Sequence, residues 1–164
     1  MKNVLVLCTG NSARSILGEA LLNRLGEGRV RAFSAGSQPK GAVHPQALEL
    51  LRERGFDTSW ARSKSWDEFA CADAPAMDMV ITVCGSAAAE SCPVWPGAPV
   101  RAHWGVADPA AVEGREQRQA FEITFARLEA RVNALMAGEF EAMDNEELAR
   151  TLAAIGAGEA EQDR

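Results

Sequence analysis

Ligands for a soft metal are scarce in this chain: two histidines and four cysteines among 164 residues, with no Cys-x-x-Cys pair. His44 and His103 stand at no ligand spacing from Cys8, Cys71, Cys84 or Cys92, so a bound metal is not expected. Four cysteines are also too few for a disulfide scaffold in a chain of this length, and they point instead to catalytic or redox thiols in a reducing compartment. Positive charge is in deficit, with 17 Lys and Arg against 23 Asp and Glu, which argues against a general nucleic-acid binder. Trp60, Trp66, Trp95 and Trp104 are scattered and form no base-stacking platform. No apolar run reaches membrane-spanning length, and Met1-Lys2-Asn3 leads into a short apolar segment without the shape of a signal peptide. A cytoplasmic monomer that touches neither membrane nor nucleic acid is the expectation. Tyrosine is absent altogether.

What the chain has is a β-α-β-α alternation. Hydrophobic residues make up 47%, ample for one core. Val4–Leu7 is a continuous apolar run, as a strand covered on both faces requires. Ile16–Leu25 carries a helical apolar stripe closed by Gly26 and Gly28. Val30–Ser34 reads as a second strand, and Pro45 opens a helix that runs to Arg54 and is capped by Gly55. Met79–Val83 and Val100–Trp104 read as two more strands, with Glu116–Met136 a long helix and Glu146–Ile155 a short one. The fold class is therefore α/β: a three-layer α/β/α arrangement with a parallel sheet of about four strands. Residues 1–155 are expected to form a single catalytic domain, with 156–164 a frayed polar tail. Active sites in such sheets lie beyond the carboxyl ends of the strands.

At the first of those ends stands Cys8-Thr9-Gly10-Asn11-Ser12-Ala13-Arg14-Ser15. A small loop between a strand and a helix can turn its amides, from Thr9 through Arg14, inward as a nest for a tetrahedral anion. Arg14 offers a planar fork for two oxygens. The same field favours a thiolate at Cys8, so one loop supplies a nucleophile and a cradle for its anionic substrate.

Val80-Ile81-Thr82-Val83-Cys84 repeats the pattern of Val4-Leu5-Val6-Leu7-Cys8: four strand residues, then a cysteine. If the two strands are neighbours, roughly 4.8 Å apart, a Cys8–Cys84 disulfide is within reach. Alone, Cys84 could equally be a small buried residue ending a strand. Cys92 lies eight positions further; in a helix that is a rise of about 12 Å, too far for a disulfide unless the segment unwinds. Gly85 and Pro93 at its ends favour such unwinding. Cys71 reads as structural or incidental.

Asp108-Pro109 follows the fourth strand. Asp-Pro is a common turn signal, and a carboxyl at a strand end is also a candidate acid for a leaving oxygen. The Cys8–Ser15 loop together with Asp108-Pro109 resembles the two signatures of low-molecular-weight protein tyrosine phosphatases. Cys84, Cys92 and His103-Trp104-Gly105 are similar to the arsenate reductase branch of that fold, in its thioredoxin-coupled form, over residues 3–137. The resemblance implies that Cys8 attacks arsenate while Asn11, Arg14 and the loop amides hold its oxygens, that Ser15 hydrogen-bonds the Cys8 thiolate, and that Asp108 protonates the departing hydroxide. It further implies that Cys84 attacks the Cys8–arsenic adduct to release arsenite, and that Cys92 then forms Cys84–Cys92 for an external thiol reductant, thioredoxin ahead of glutathione with glutaredoxin. Some members space the last two cysteines by seven rather than the eight found here.

The alternative is a phosphotyrosine phosphatase working through a phospho-cysteine. Such enzymes place aromatic rings beside the acid loop, whereas Asp108-Pro109 is followed here by Ala110-Ala111. A non-enzymatic oxyanion sensor would keep the loop and need no acid. His44 reads as a helix-start residue, Lys40 and Arg62 as charges that either add positive potential near the site or, by default, stand solvated, and Trp95 and Trp104 as core or cleft-lining side chains.

Overall fold

The computed structural model of the chain describes residues 1–85, 87, 95 and 97–158. Four strands, β1 (Lys2–Cys8), β2 (Val30–Gly36), β3 (Met79–Thr82) and β4 (Val100–His103), pair in the order β2-β1-β3-β4. Every pairing is parallel. Four α-helices are described: α1 (Arg14–Leu25), α2 (Pro45–Glu53), α3 (Glu116–Met136) and α4 (Asn145–Gly158).

The apolar runs seen in the sequence are strands because both of their faces are covered. Val4, Val6 and Cys8 join the core formed with α1, α2, α3 and α4. Leu5 and Leu7 point the other way, into a second cluster with Phe69, Met77, Val80 and Trp95. The side-chain period of two thus sorts one strand into two cores. Trp66–Phe69, a single 3-10 turn, covers this second face, and Trp66 meets Trp95 edge-on at 6.0 Å. Trp104 lies in the first core with its indole N–H donated to Leu152 O at 3.0 Å. Both tryptophans are therefore core residues and not cleft walls.

Several boundaries differ from the sequence reading. β1 and β2 run one to two residues further at each open end, to Cys8 and Gly36, because they pair in register up to Cys8 and Gly36. β3 and β4 each stop one residue short of the expected span. α4 continues past Ile155 to Gly158 because Gly156 is buried against β4, where an added Cβ would lie 2.5 Å from His103 O. α2 starts where Pro45 predicts, and His44 caps it, its Nδ1 accepting from Gln46 N at 3.1 Å.

Among the described residues, no helix is long and apolar enough to cross a membrane.

Candidate active site

The carboxyl ends of β1 and β3 meet at one edge. Leu7 pairs with Thr82, and Val83 N donates to Leu7 O at 2.9 Å, so Cys84 stands one position beyond the level of Cys8. β3 has ended there and the chain has turned, so both thiols belong to the same core cluster. Both are buried and unbonded to any other sulfur.

Residues 9–13 form the loop between β1 and α1. Its carbonyls are drawn outward by neighbouring segments: Gln38 N donates to Thr9 O, Lys40 N to Gly10 O, His44 N to Ser12 O, and Leu17 N to Ala13 O. In a trans peptide the C=O and the following N–H point in opposite directions. The N–H groups of Gly10, Asn11, Ala13 and Arg14 consequently face away from those partners, as an anion nest requires.

Gly36 makes this packing possible. A Cβ there would lie 2.4 Å from Thr9 O, 2.9 Å from Cys8 O and 3.0 Å from Asn11 N, all backbone atoms that cannot swing aside. Gly36→Ala is expected to cost about 1–3 kcal/mol of stability and to weaken oxyanion binding, measured by thermal melting with and without inorganic phosphate. A melt unchanged in both conditions would show that the loop moves freely.

The cleft that opens over the loop has a volume of about 390 Å³ and is lined by Cys8, Thr9, Gly10, Ser12, Ala13, Arg14, Gln38, Lys40 and Asp108. Cys8 Sγ lies 3.0 Å from Ser15 Oγ. Asn11 Nδ2 donates to that same Ser15 oxygen at 2.8 Å, and once Cys8 is a thiolate the serine hydroxyl is the donor to the sulfur. The Asn11 side chain is wholly buried, and its Oδ1 accepts from Lys64 N at 2.9 Å. Asn11 is not among the residues lining the cleft, and its side-chain amide organises the loop from beneath. It holds a left-handed conformation, φ 45°, which asparagine adopts more readily than other non-glycine residues.

Arg14 and Asp108 form the far wall. Arg14 Nη1 donates to Val106 O at 3.2 Å and Nη2 lies 3.7 Å from Asp108 Oδ2. The other carboxylate oxygen, Oδ1, accepts from Ala110 N at 3.0 Å and starts the short 3-10 turn Pro109–Ala111. The two readings of Asp108 in the sequence correspond to its two oxygens: one caps a turn and one faces the cleft. The loop that carries it is pinned from behind, where buried Arg131 donates to Gly105 O at 2.9 Å.

Cys84 Sγ lies 3.6 Å from Thr9 Oγ1 and accepts the N–H of Ala87 at 3.3 Å, in the manner of an N-cap. Cys92 lies outside the described residues. Cys71 is exposed and does not line the cleft, its thiol donated to Asp67 O.

Of the two cations weighed between the site and a solvated face, Arg62 is paired with Glu68 at 2.6 Å, and Lys40 lines the cleft, its stem 3.1–3.3 Å from where a Gly10 side chain would start. Burial, and then the Lys40 charge, push the His44 imidazole below its ordinary value, with Asp108 opposing. Sequence reasoning missed Gln38 and the buried polar group Glu19, Ser34 and Lys64 beneath the loop. Among the described residues no three His, Cys, Asp or Glu side chains cluster so as to hold a metal ion.

A parallel α/β sheet with a thiol-bearing anion nest at its carboxyl edge defines the class. The chain belongs to the low molecular weight phosphotyrosine protein phosphatase family, whose model matches residues 3–151. It is similar to the arsenate reductase of Bacillus licheniformis, 38% identical over 118 residues that cover 72% of this chain and 81% of that protein. Among solved structures it resembles an arsenate reductase in the oxidized state, with a TM-score of 0.67 and 28% identity over 84% of this chain and 98% of that one. It also resembles a thioredoxin-dependent arsenate reductase of Corynebacterium glutamicum, with a TM-score of 0.57 and 31% identity over 78% of this chain and 58% of that one.

Proposed function

We propose that this protein reduces arsenate to arsenite in the cytoplasm and is recycled by an external dithiol, thioredoxin. Cys8 attacks arsenic(V) held by the loop amides and Arg14, and the departing hydroxide takes a proton from Asp108. Cys84 then attacks the Cys8 sulfur; the S–S bond forms as the S–As bond breaks, and its electron pair leaves with arsenic(III). Cys92 attacks Cys84 in turn, freeing Cys8 and passing the oxidised pair to the reductant.

The observation that carries this reading is the second buried thiol at the rim of the first thiol's loop, with Cys84 Sγ 3.6 Å from Thr9 Oγ1. Hydrolysis of a phospho-cysteine needs no such sulfur. The similarity to arsenate reductases agrees with it. Thioredoxin is favoured over glutathione with glutaredoxin because the relay ends in an intramolecular disulfide, which a dithiol reduces by two successive exchanges.

The test supplies arsenate with NADPH, thioredoxin and thioredoxin reductase, in parallel with glutathione and glutaredoxin, and separately offers 4-nitrophenyl phosphate. Arsenite formation with thioredoxin is expected to dominate. Fast aryl phosphate hydrolysis without arsenate reduction would make the protein a phosphatase.

Asp108→Asn tests the acid. Asparagine keeps an oxygen for Ala110 N and so preserves the turn, but it cannot give a proton to hydroxide. Single-turnover arsenite release is expected to slow by about 10²-fold or more. An unchanged rate would reduce Asp108 to its capping role.

A further inference from the structure

Beneath the oxyanion loop lies a buried ion pair that the proposed chemistry does not use. Lys64 Nζ stands 3.7 Å from Glu19 Oε1, with both side chains almost wholly enclosed. Ser34 donates to the same Glu19 oxygen at 2.5 Å, and Lys64 Nζ lies 3.5 Å from Ser34 Oγ and 3.1 Å from Arg62 O. A buried charge pair is poor evidence of stabilisation, since desolvation offsets most of the attraction, so its presence asks for another reason.

The reason lies in the direction of the hydrogen bonds. Ser34 gives its only proton to Glu19, so its oxygen can only accept, and it accepts Asn11 Nδ2 at 3.0 Å. The other hydrogen of that amide goes to Ser15 Oγ, and with Cys8 as a thiolate the Ser15 proton goes to Sγ. Lys64 touches this chain twice. Its backbone N–H fixes which way the Asn11 amide faces, and its ammonium compensates the carboxylate at the far end. Burial pushes the Glu19 carboxyl up and the Lys64 ammonium down, and each charge opposes the shift of the other. Arg62 and Glu68, the remaining charges near the pair, face each other at the surface. A protonated Glu19 would no longer require the Ser34 proton, and the polarity of the chain would be lost.

We propose that Lys64 is a positioning residue for the nucleophile: its ammonium and its own N–H hold Glu19, Ser34, Asn11 and Ser15 in the one hydrogen-bond polarity that delivers a proton to the Cys8 sulfur and keeps Asn11 in its left-handed turn. This rests on Cys8 being the reactive thiol, and the test needs neither arsenate nor a reductant, so it can fail while the reductase reading stands. In a Cys71→Ser/Cys84→Ser/Cys92→Ser background, the alkylation of Cys8 by iodoacetamide is followed against pH. Lys64→Met is expected to raise the midpoint by about one pH unit, about tenfold in rate below it. Ser15→Ala should raise it at least as far, and adding Lys64→Met to Ser15→Ala should add little, because Lys64 acts through Ser15. If Lys64→Met does not fold, Lys64→Met/Glu19→Gln removes both charges together and is measured in its place. A purely structural ion pair would lower the melting temperature and leave the alkylation midpoint where it was. That result, or shifts from Lys64→Met and Ser15→Ala that simply add, would overturn the proposal.

Discussion

Cys92→Ser is expected to form one arsenite per protein molecule and then stop, whereas Cys8→Ser and Cys84→Ser are expected to form none. The difference follows from where each sulfur enters. Without Cys8 there is no adduct, and without Cys84 the adduct has no neighbouring thiolate to take the S–As bond apart. Without Cys92 the chemistry on arsenic is complete, and the protein is left as a Cys8–Cys84 disulfide that the reductant cannot reach, because Cys8 is 3% and Cys84 also 3% exposed. Quenched stoichiometry and disulfide mapping by mass spectrometry separate the three. Multiple turnovers at the wild-type rate in all three variants would remove the relay.

Arg14→Lys is expected to lower kcat/KM for arsenate by about 10²- to 10³-fold, the cost of losing a preorganised donor at an oxyanion. Net charge is kept, so the loss isolates geometry. The guanidinium now bridges two elements, donating to Val106 O at 3.2 Å while its other nitrogen lies 3.7 Å from Asp108 Oδ2. A lysine ammonium is a point charge on a flexible stem and cannot hold the acid loop while presenting a planar edge to two oxygens. Steady-state kinetics against arsenate concentration would show the effect mainly in KM if Arg14 only binds, and in kcat as well if it follows charge into the transition state. Wild-type kinetics in Arg14→Lys would mean that the amides alone hold the anion.

The parts of this site that the sequence discloses are those whose chemistry is local. Cys8 and Arg14 flank one short loop, and their spacing is itself the signal. The strands are legible because burial on both faces forces continuous apolar runs, and the cysteine that follows β3 is legible because the run before it mirrors β1. The supporting group is not, since Glu19, Ser34 and Lys64 come from a helix, a strand and an irregular connection, and each is ordinary in its own neighbourhood. One clue was present. Glu19 is flanked by Ile16, Leu17, Ala20, Leu21 and Leu22, so a lone carboxylate sits in an otherwise apolar stretch of helix and must find a partner inside. The partner's identity is set by the crossing of residues 56–77 over the sheet end, where Gly36 bridges to Ser65 and takes the Lys64 carbonyl, and no periodicity encodes that contact. The sequence leaves Lys40 undecided between the site and a solvated face for the same reason: its position over Gly10 is fixed by a loop-to-loop bond from its own backbone N–H.

The sulfur that closes the reaction is also the sulfur that fastens the start of the next segment, through the N–H of Ala87. Once bonded to another sulfur, Cys84 is a poorer acceptor, and the tie at that end slackens. The bond that ends the chemistry and the weakening of this one backbone tie at Ala87 are thereby the same event.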